Sequence, residues 1–396
     1  MTTFPYSNTT SNSVARAIGG PLQPATKTMA VVNGAFPEKN PRGIGSLGNL
    51  GAPSGQPRIS YGDDGIYRST SDLFKWKGGY DITPELKSLF TAAYENIQVN
   101  HQGQTYLSNK YGQPVWGTGT TSYNFGGLAF IPTPNNFGNS EQNRETLTLS
   151  GGLKGRLVNS WNIDANANSF EVLKDKNITS TLNPNDPNNR NVGQISRYDN
   201  TGWVNVSVKF NTDEFFGNKD LSFTTGYQFQ HASLSLNTYN TFNYTTGIQN
   251  SVKTLSGGTT DTHGIFKQLS WRFMKDWDAT LGVRWERWNS SDGVNYTGAT
   301  ATTKAVSVPP PDRQKTAVSP KFSIGYEPDR WKFRYSFAQA YRFPMVEELF
   351  SNFQSLNGSV TVSNSTLRPE DGRWPLMAGI HARPRHHLFL HARLRA

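Results

Sequence analysis

Apolar and polar side chains alternate strictly in several stretches of this sequence. A period of two separates them onto opposite faces only in an extended strand. In residues 202–211, Val204, Val206, Val208 and Phe210 fall on one side, and Trp203, Asn205, Ser207 and Lys209 on the other. Leu221, Phe223, Thr225, Tyr227 and Phe229 alternate with Ser222, Thr224, Gly226, Gln228 and Gln230. The same holds for Trp161, Ile163, Ala165 and Ala167 against Asn162, Asp164, Asn166 and Asn168, for Leu281, Val283 and Trp285 against Gly282, Arg284 and Glu286, and for Phe333, Tyr335 and Phe337 against Arg334, Ser336 and Ala338.

The connections between these runs differ by end. Short ones are expected near 81–86, 158–160, 211–220, 275–276 and 327–330, and long ones over 100–144, 173–201, 240–262, 289–319 and 343–367. Tight turns at one end and long loops at the other are the habit of outer-membrane barrels, whose strands need about ten residues to cross the bilayer at a tilt. A soluble sandwich has no reason to gather its long loops at one end. The apolar phase slips near His231, moving to Ala232, Leu234 and Leu236. A β-bulge would do this, and so would a strand that continues above the membrane.

Composition agrees. Apolar residues make up 35%, charged residues 17% and aromatic residues 12% of the 396 residues. That is too aromatic and too sparsely charged for a disordered chain, and it suits strands with one wet face. The absence of cysteine excludes a disulfide framework and thiolate metal sites. No run of apolar residues is long enough for a transmembrane helix, and the first twenty residues lack a secretory-signal pattern. Half of the net charge of +10 sits in residues 373–396, with five Arg, four His and no acid, so it does not point to nucleic acid. Aromatics recur beside the expected short turns (Trp76, Tyr80, Trp161, Phe215, Phe216, Trp271, Phe273, Trp277 and Trp331, with Trp285 and Trp288 further up), as an interfacial girdle requires.

Residues 319–344 read SPKFSIGYEPDRWKFRYSFAQAYRFP, continue as MVEELF, and are followed at 367–370 by LRPE. At this combined spacing the chain resembles the TonB-dependent receptor family through Ser319, Pro320, Lys321, Tyr341, Arg342, Pro344, Glu348, Leu349, Leu367, Pro369 and Glu370. The resemblance implies an all-β fold, a partial antiparallel transmembrane β-barrel of about 10–11 strands out of an expected 22 with its plug domain absent. It implies a receptor in the Gram-negative outer membrane, with outer-membrane lipid and the TonB complex as partners. Its cargo would be a ferric siderophore or similar chelate. No cofactor and no enzymatic activity are expected.

Three segments follow: 1–70 as a loop-rich N-terminal remnant, 71–370 as the partial barrel, and 371–396 as an aberrant basic, His-rich tail, such as a frameshift or truncation near 371–373 would leave. Neither a TonB box nor a plug is recognised upstream of the strands. A half-barrel by itself would leave two strand edges unpaired in lipid.

Candidate chemistry is sparse. Arg342 with Glu347 and Glu348 forms a possible buried ion pair that either orients a loop or touches a ligand. Tyr106, Tyr111, Trp116, Tyr123, Arg190 and Arg197, in the long loops, offer charge-assisted hydrogen bonds and stacking to an anionic, aromatic chelate. They equally suit a solvated loop. No His lies between Pro344 and Leu367, which speaks against haem. His386, His387 and His391 lack a carboxylate partner, and the acids Asp63, Asp64 and Asp81 fit turns better than a calcium loop. No metal site, phosphate loop or catalytic set is found. The rival readings are a plug-free outer-membrane porin and a secreted soluble all-β binding module or carbohydrate-active enzyme.

Overall fold

In the computed structural model the described residues are 59–125, 128–329, 331–354, 360–361 and 363–382, with four two-residue extended pairs before them. Apart from those four pairs, residues 1–58 of the expected N-terminal remnant lie outside the described residues, as does the His-rich end, residues 383–396.

One antiparallel sheet runs through the chain. Its strands are β1 (Gly62–Thr83), β2 (Leu86–Thr105), β3 (Asn139–Val158), β4 (Trp161–Ser180), β5 (Gly193–Arg197), β6 (Gly202–Thr212), β7 (Leu221–Thr241), β8 (Val252–Met274), β9 (Trp277–Thr297), β10 (Arg313–Tyr326), β11 (Trp331–Arg342) and β12 (Glu370–Ala382). Both β5 and β6 lie between β4 and β7, so they form one interrupted crossing, and the sheet has eleven positions in sequence order from β1 to β12. The ten strands and an eleventh after Leu367 expected from the sequence are all present. No described helix is long and apolar enough to cross a membrane.

Two boundaries differ from expectation. Residues 62–70, expected as loop, belong to β1, and residues 371–382, set apart as tail, belong to β12. The register of β12 against β11 shifts between Ser336 and Ala338, opposite Pro375, which has no amide hydrogen for the ladder.

Strand length is the larger correction. Instead of about ten residues, strands β1 to β4 and β7 to β9 run to 20–23 residues. The short turns fall where expected, but strand takes up part of the expected long loops 100–144, 173–201, 240–262 and 289–319. Backbone pairing does not stop at the edge of the lipid, because the same hydrogen-bond ladder continues with polar side chains on both faces. The first four loops shrink to 106–138, 181–192, 242–251 and 298–312, while the fifth runs over 343–369.

The short turns use residues that tolerate a left-handed backbone: Asn159 at φ 52 and Asp276 at φ 65. Around them stand the expected aromatics. Trp161 meets Phe215, Phe215 stacks on Phe223, Phe273 meets Trp277, Trp277 stacks on Tyr326, and Tyr326 on Phe333.

Cross-strand register sorts the faces. Val206, Phe229, His263 and Arg287 share one face, as do Val208, Tyr227, Ile265, Trp285 and Val318. The opposite, wet face carries Asn166, Ser207, Gln228, Gly264 and Glu286. Polar pairs span it: Lys209 with Asp164 at 3.2 Å, Arg284 with Glu286 at 2.8 Å and Arg334 with Asp278 at 2.7 Å.

Of the two accounts of the phase slip at His231, the bulge is absent and the strand instead continues to Thr241. Pairing of β7 with β8 runs unbroken from Leu221 to Thr238, so Leu234 and Leu236 stay on the wet face with Gln228 and Gln230. What changes at this level is what that face meets. Leu234 is covered by a loop helix. Trp288 likewise leaves the girdle: it is 1% exposed and lies on the wet face, out of phase with Trp285.

Candidate ligand-facing site at the long-loop end

The motif residues assemble where β11 leaves the sheet. Pairing of β10 with β11 ends at Lys321 and Ala338, one residue short of Pro320, which cannot donate to a further pair. Pro320 itself sits opposite Val283 on the apolar face, and the Lys321 stem lies over Gly282 on the wet face. Ser319, opposite Arg284, encloses its hydroxyl without a hydrogen-bond partner among the described residues. Above that point β11 runs beside β12 alone, up to Arg342 opposite Glu370.

The chain then turns back as helix α1 (Val346–Phe350). Glu348 accepts from the Met345 amide at 2.9 Å, satisfying one of the donors a helix start leaves free. The same carboxylate takes Arg342 Nη2 at 2.5 Å, and Arg342 Nη1 reaches Glu370 at 3.2 Å. Arg342 thus bridges Glu348 and Glu370 rather than Glu347, and at 48% exposure the pair is not buried. It could not be, since it stands at the rim where β11 ends and the loop begins. The guanidinium, with the Met345 amide behind it, holds the Glu348 carboxyl below the usual carboxylate range.

Apolar burial does the rest. Val346, Leu349 and Phe350 pack with Leu234 and Trp288 into one cluster, with Phe343 and Leu367 against it. Phe343 stacks on Trp288 at 5.9 Å and 5° between planes. The Phe350 ring needs Gly258: a Cβ there would stand 2.6 Å from Phe350 Cε2. Ser256 Oγ donates to the Asn352 carbonyl at 3.2 Å, and Arg313 donates to the carbonyls of Ser365 and Leu367, both at 2.6 Å. The loop is therefore folded back and tied to the wet face of β7, β8 and β9.

A cavity of about 480 Å³ remains under α1, lined by Trp203, Asn205, Gln230, Glu286, Tyr341 and Glu347 among others. Pro344 is at its rim, and Tyr341 accepts a hydrogen bond from Gln339 at 2.8 Å. Pro369 leads directly into Glu370 and β12.

The six expected loop residues do not converge. Trp116 is buried edge-on against Phe137, Tyr106 bonds Asp63, and Tyr123 stacks on Phe130. Arg197 is held by Asp199 at 2.5 Å. Tyr111, 75% exposed beneath the Lys110 ammonium, and the exposed Arg190 face solvent. No cluster of three His, Asp or Glu fit for a metal occurs among the described residues.

Sequence reasoning missed Arg313 and Gly258, met Leu234 only as a slip of phase, and placed Trp288 among the girdle aromatics. A signal existed for two of them: Leu234 is out of phase with Phe229, and Trp288 with Trp285, in otherwise regular strands.

A second buried group escaped notice. Asp175 is 0% exposed, with Arg144 Nε at 3.0 Å and Gln142 donating at 2.8 Å. It lies on the part of β4 above the ten or so residues that cross the bilayer. Burial pushes its carboxyl above the usual range against the pull of Gln142 and Arg144.

Compared with known proteins, residues 88–373 match the family model described as TonB dependent receptor-like, beta-barrel. No curated protein matches the chain. Among solved structures it is similar to the copper transporter OprC, with 15% identity and a TM-score of 0.50 over 86% of this chain and 46% of that one. It is also similar to the ferric yersiniabactin uptake receptor FyuA from Yersinia pestis (14%, 0.43, over 80% and 42%). A third is the ferripyoverdine receptor of Pseudomonas aeruginosa (11%, 0.48, over 79% and 39%). The chain spans less than half the length of each, and at these identities the likeness concerns the fold alone.

Proposed function

This chain belongs to the TonB dependent receptor-like β-barrel family, and from that premise we propose that it is the barrel portion of an outer-membrane receptor that imports a ferric siderophore or similar small chelate with energy from the TonB complex. One observation carries the reading. The family match covers a sheet whose short turns all lie at one end, while at the other end the motif loop is tied down over the wet face. A binding surface facing the medium needs such a rigid rim, because an ordered wall loses less entropy when the ligand docks. Tyr111 and Arg190 offer stacking and charge from loops on that end. The relatives' printed names, uptake receptors for ferric yersiniabactin and ferripyoverdine and a copper transporter, are consistent with a metal chelate as cargo.

The test is uptake. Deleting the gene that encodes this chain, in cells grown short of iron, is expected to abolish radiolabelled iron uptake from at least one class of ferric siderophore. That uptake should also stop when the inner-membrane proton gradient is dissipated. Unchanged uptake of every ferric chelate would overturn the cargo. Uptake that survives loss of the gradient would restore the plug-free porin.

A further inference from the structure

Helix α1 covers the wet face unevenly. Leu349 and Phe350 pack at the level of Leu234 and Gly258. Lower on that face the cavity of about 480 Å³ stays open beneath Val346 and Glu347. Register sets its floor: Trp203, Ala232 and Thr260 stand side by side across β6, β7 and β8, and below them stand Asn205, Gln230 and Thr262.

The polar groups around this space are not spent on one another. Asn205, Gln230, Thr260 and Thr262 have no side-chain hydrogen-bond partner among the described residues, although Thr260 is only 7% exposed. Glu347 is in the same position. Arg342 takes Glu348 and Glu370 and leaves the Glu347 carboxylate without a cation. Among the described residues no Lys or Arg lines the cavity. The other ionisable groups on its wall are matched, Glu286 by Arg284 at 2.8 Å and His231 by Asp261 at 2.8 Å. Two further cations nearby are engaged elsewhere. Arg144 is held by Asp175 at 3.0 Å, and Arg313, over the Trp288 ring, donates to the carbonyls of Ser365 and Leu367. An electron-rich ring completes the wall: Trp203, 38% exposed and fixed by stacking on Phe170 at 6.2 Å.

We propose that this cavity binds a primary ammonium carried on an alkyl arm of the imported chelate. Glu347 supplies the counter-charge and Trp203 a cation–π face. The side-chain oxygens of Gln230 and Thr262 accept the remaining N–H donors, of which an ammonium has three. Val346 and Trp288 line the space for the alkyl stem. The same inventory turns away an anionic arm, which would leave water for a space bordered by carboxylates with no free cation to meet it. The inference rests on the receptor reading and names the part of the cargo that this wall selects.

The test uses the full gene product, purified from the outer membrane in mild detergent, with quenching of tryptophan fluorescence as the measure of binding. One probe is ferrioxamine B, a ferric trihydroxamate whose aminopentyl arm ends in a primary ammonium. The other is its N-acetyl derivative, which keeps the iron centre and loses the charge. Ferrioxamine B is expected to bind about tenfold more tightly, as one charge-assisted hydrogen bond predicts. Glu347→Gln should erase that preference, Glu347→Asp should retain it, and Trp203→Leu should narrow it. Equal binding of the two probes, binding of neither, or a preference that Glu347→Gln leaves intact would overturn the proposal. The receptor reading fails separately, when deletion of the gene leaves uptake of every ferric chelate unchanged.

Discussion

Arg342 Nη2 and Glu348 Oε1 lie 2.5 Å apart across the joint between the last residue of β11 and the loop helix α1. The contact turns a sharp reversal of the chain into a fixed corner, with Glu370 closing the other side of the guanidinium at 3.2 Å. Because Arg342 is half-exposed, water screens the pair, and Arg342→Ala should loosen the docked loop only slightly. Hydrogen exchange of residues 345–351 reads this directly. The pH dependence has a definite sign. The Glu348 carboxyl is held below its ordinary value, so its contribution is fully present above the unfolded carboxylate range and fades as pH falls through the lowered value. Glu348→Gln should remove that acid-side loss; an unchanged profile would show that Glu348 does not act here.

Leu349 is a stronger lever. It is 2% exposed in the cluster with Leu234 and Trp288. Leu349→Ala should destabilise loop docking by about 2–5 kcal/mol through lost burial and the cavity left behind. The same exchange measurement should show residues 345–351 opening far more than in Arg342→Ala. The reverse order would mean that charge, not burial, holds the loop.

Gly258 tests the same packing from the strand side. Any Cβ there meets the Phe350 ring, so Gly258→Ala should force α1 off the sheet. The paired change Gly258→Ala with Phe350→Ala should recover part of the loss. Protease cleavage within 343–369 is the readout, and additive damage in the double variant would rule out direct contact.

Asp175 should tie the upper sheet to pH in the opposite sense from Glu348. Its carboxyl is pushed up by burial, so the folded state favours its protonated form. Stability therefore falls as pH rises from the ordinary carboxylate range through the raised value. Its backbone amide donates to Asp199 at 2.7 Å, and its carbonyl accepts from the Tyr198 amide at 3.1 Å. Exchange at residues 197–201, corrected for its intrinsic pH dependence, should increase over that window in the parent and stay flat in Asp175→Asn.

Expressed as these 396 residues alone, the chain should not show the heat-modifiable gel migration of a closed barrel. Among the described residues the edges β1 and β12 end the sheet without pairing with each other, and unpaired backbone groups in lipid are costly. They also run in the same direction, since eleven antiparallel positions separate into six and five. A second copy turned about the barrel axis would thus meet each edge in parallel, not antiparallel. A heat-modifiable band from the isolated chain would contradict this.

The sequence by itself determined the strands, their turns and their faces. A period of two is local: Val204 to Phe210 must share a side whatever else the protein does, and Asn159 and Asp276 suit tight turns through their own backbone preferences. The motif from Ser319 to Glu370 likewise identified the family. Only the tertiary structure decided which face each apolar residue serves above the membrane. Leu234 and Trp288 read as a slipped phase or a girdle until α1, far along the chain, is laid over them. The partners of Arg342, the need for a glycine at 258 and the enclosure of Asp175 have the same origin. Each is set by a neighbour brought close through strand register rather than sequence distance, and no local pattern carries that information.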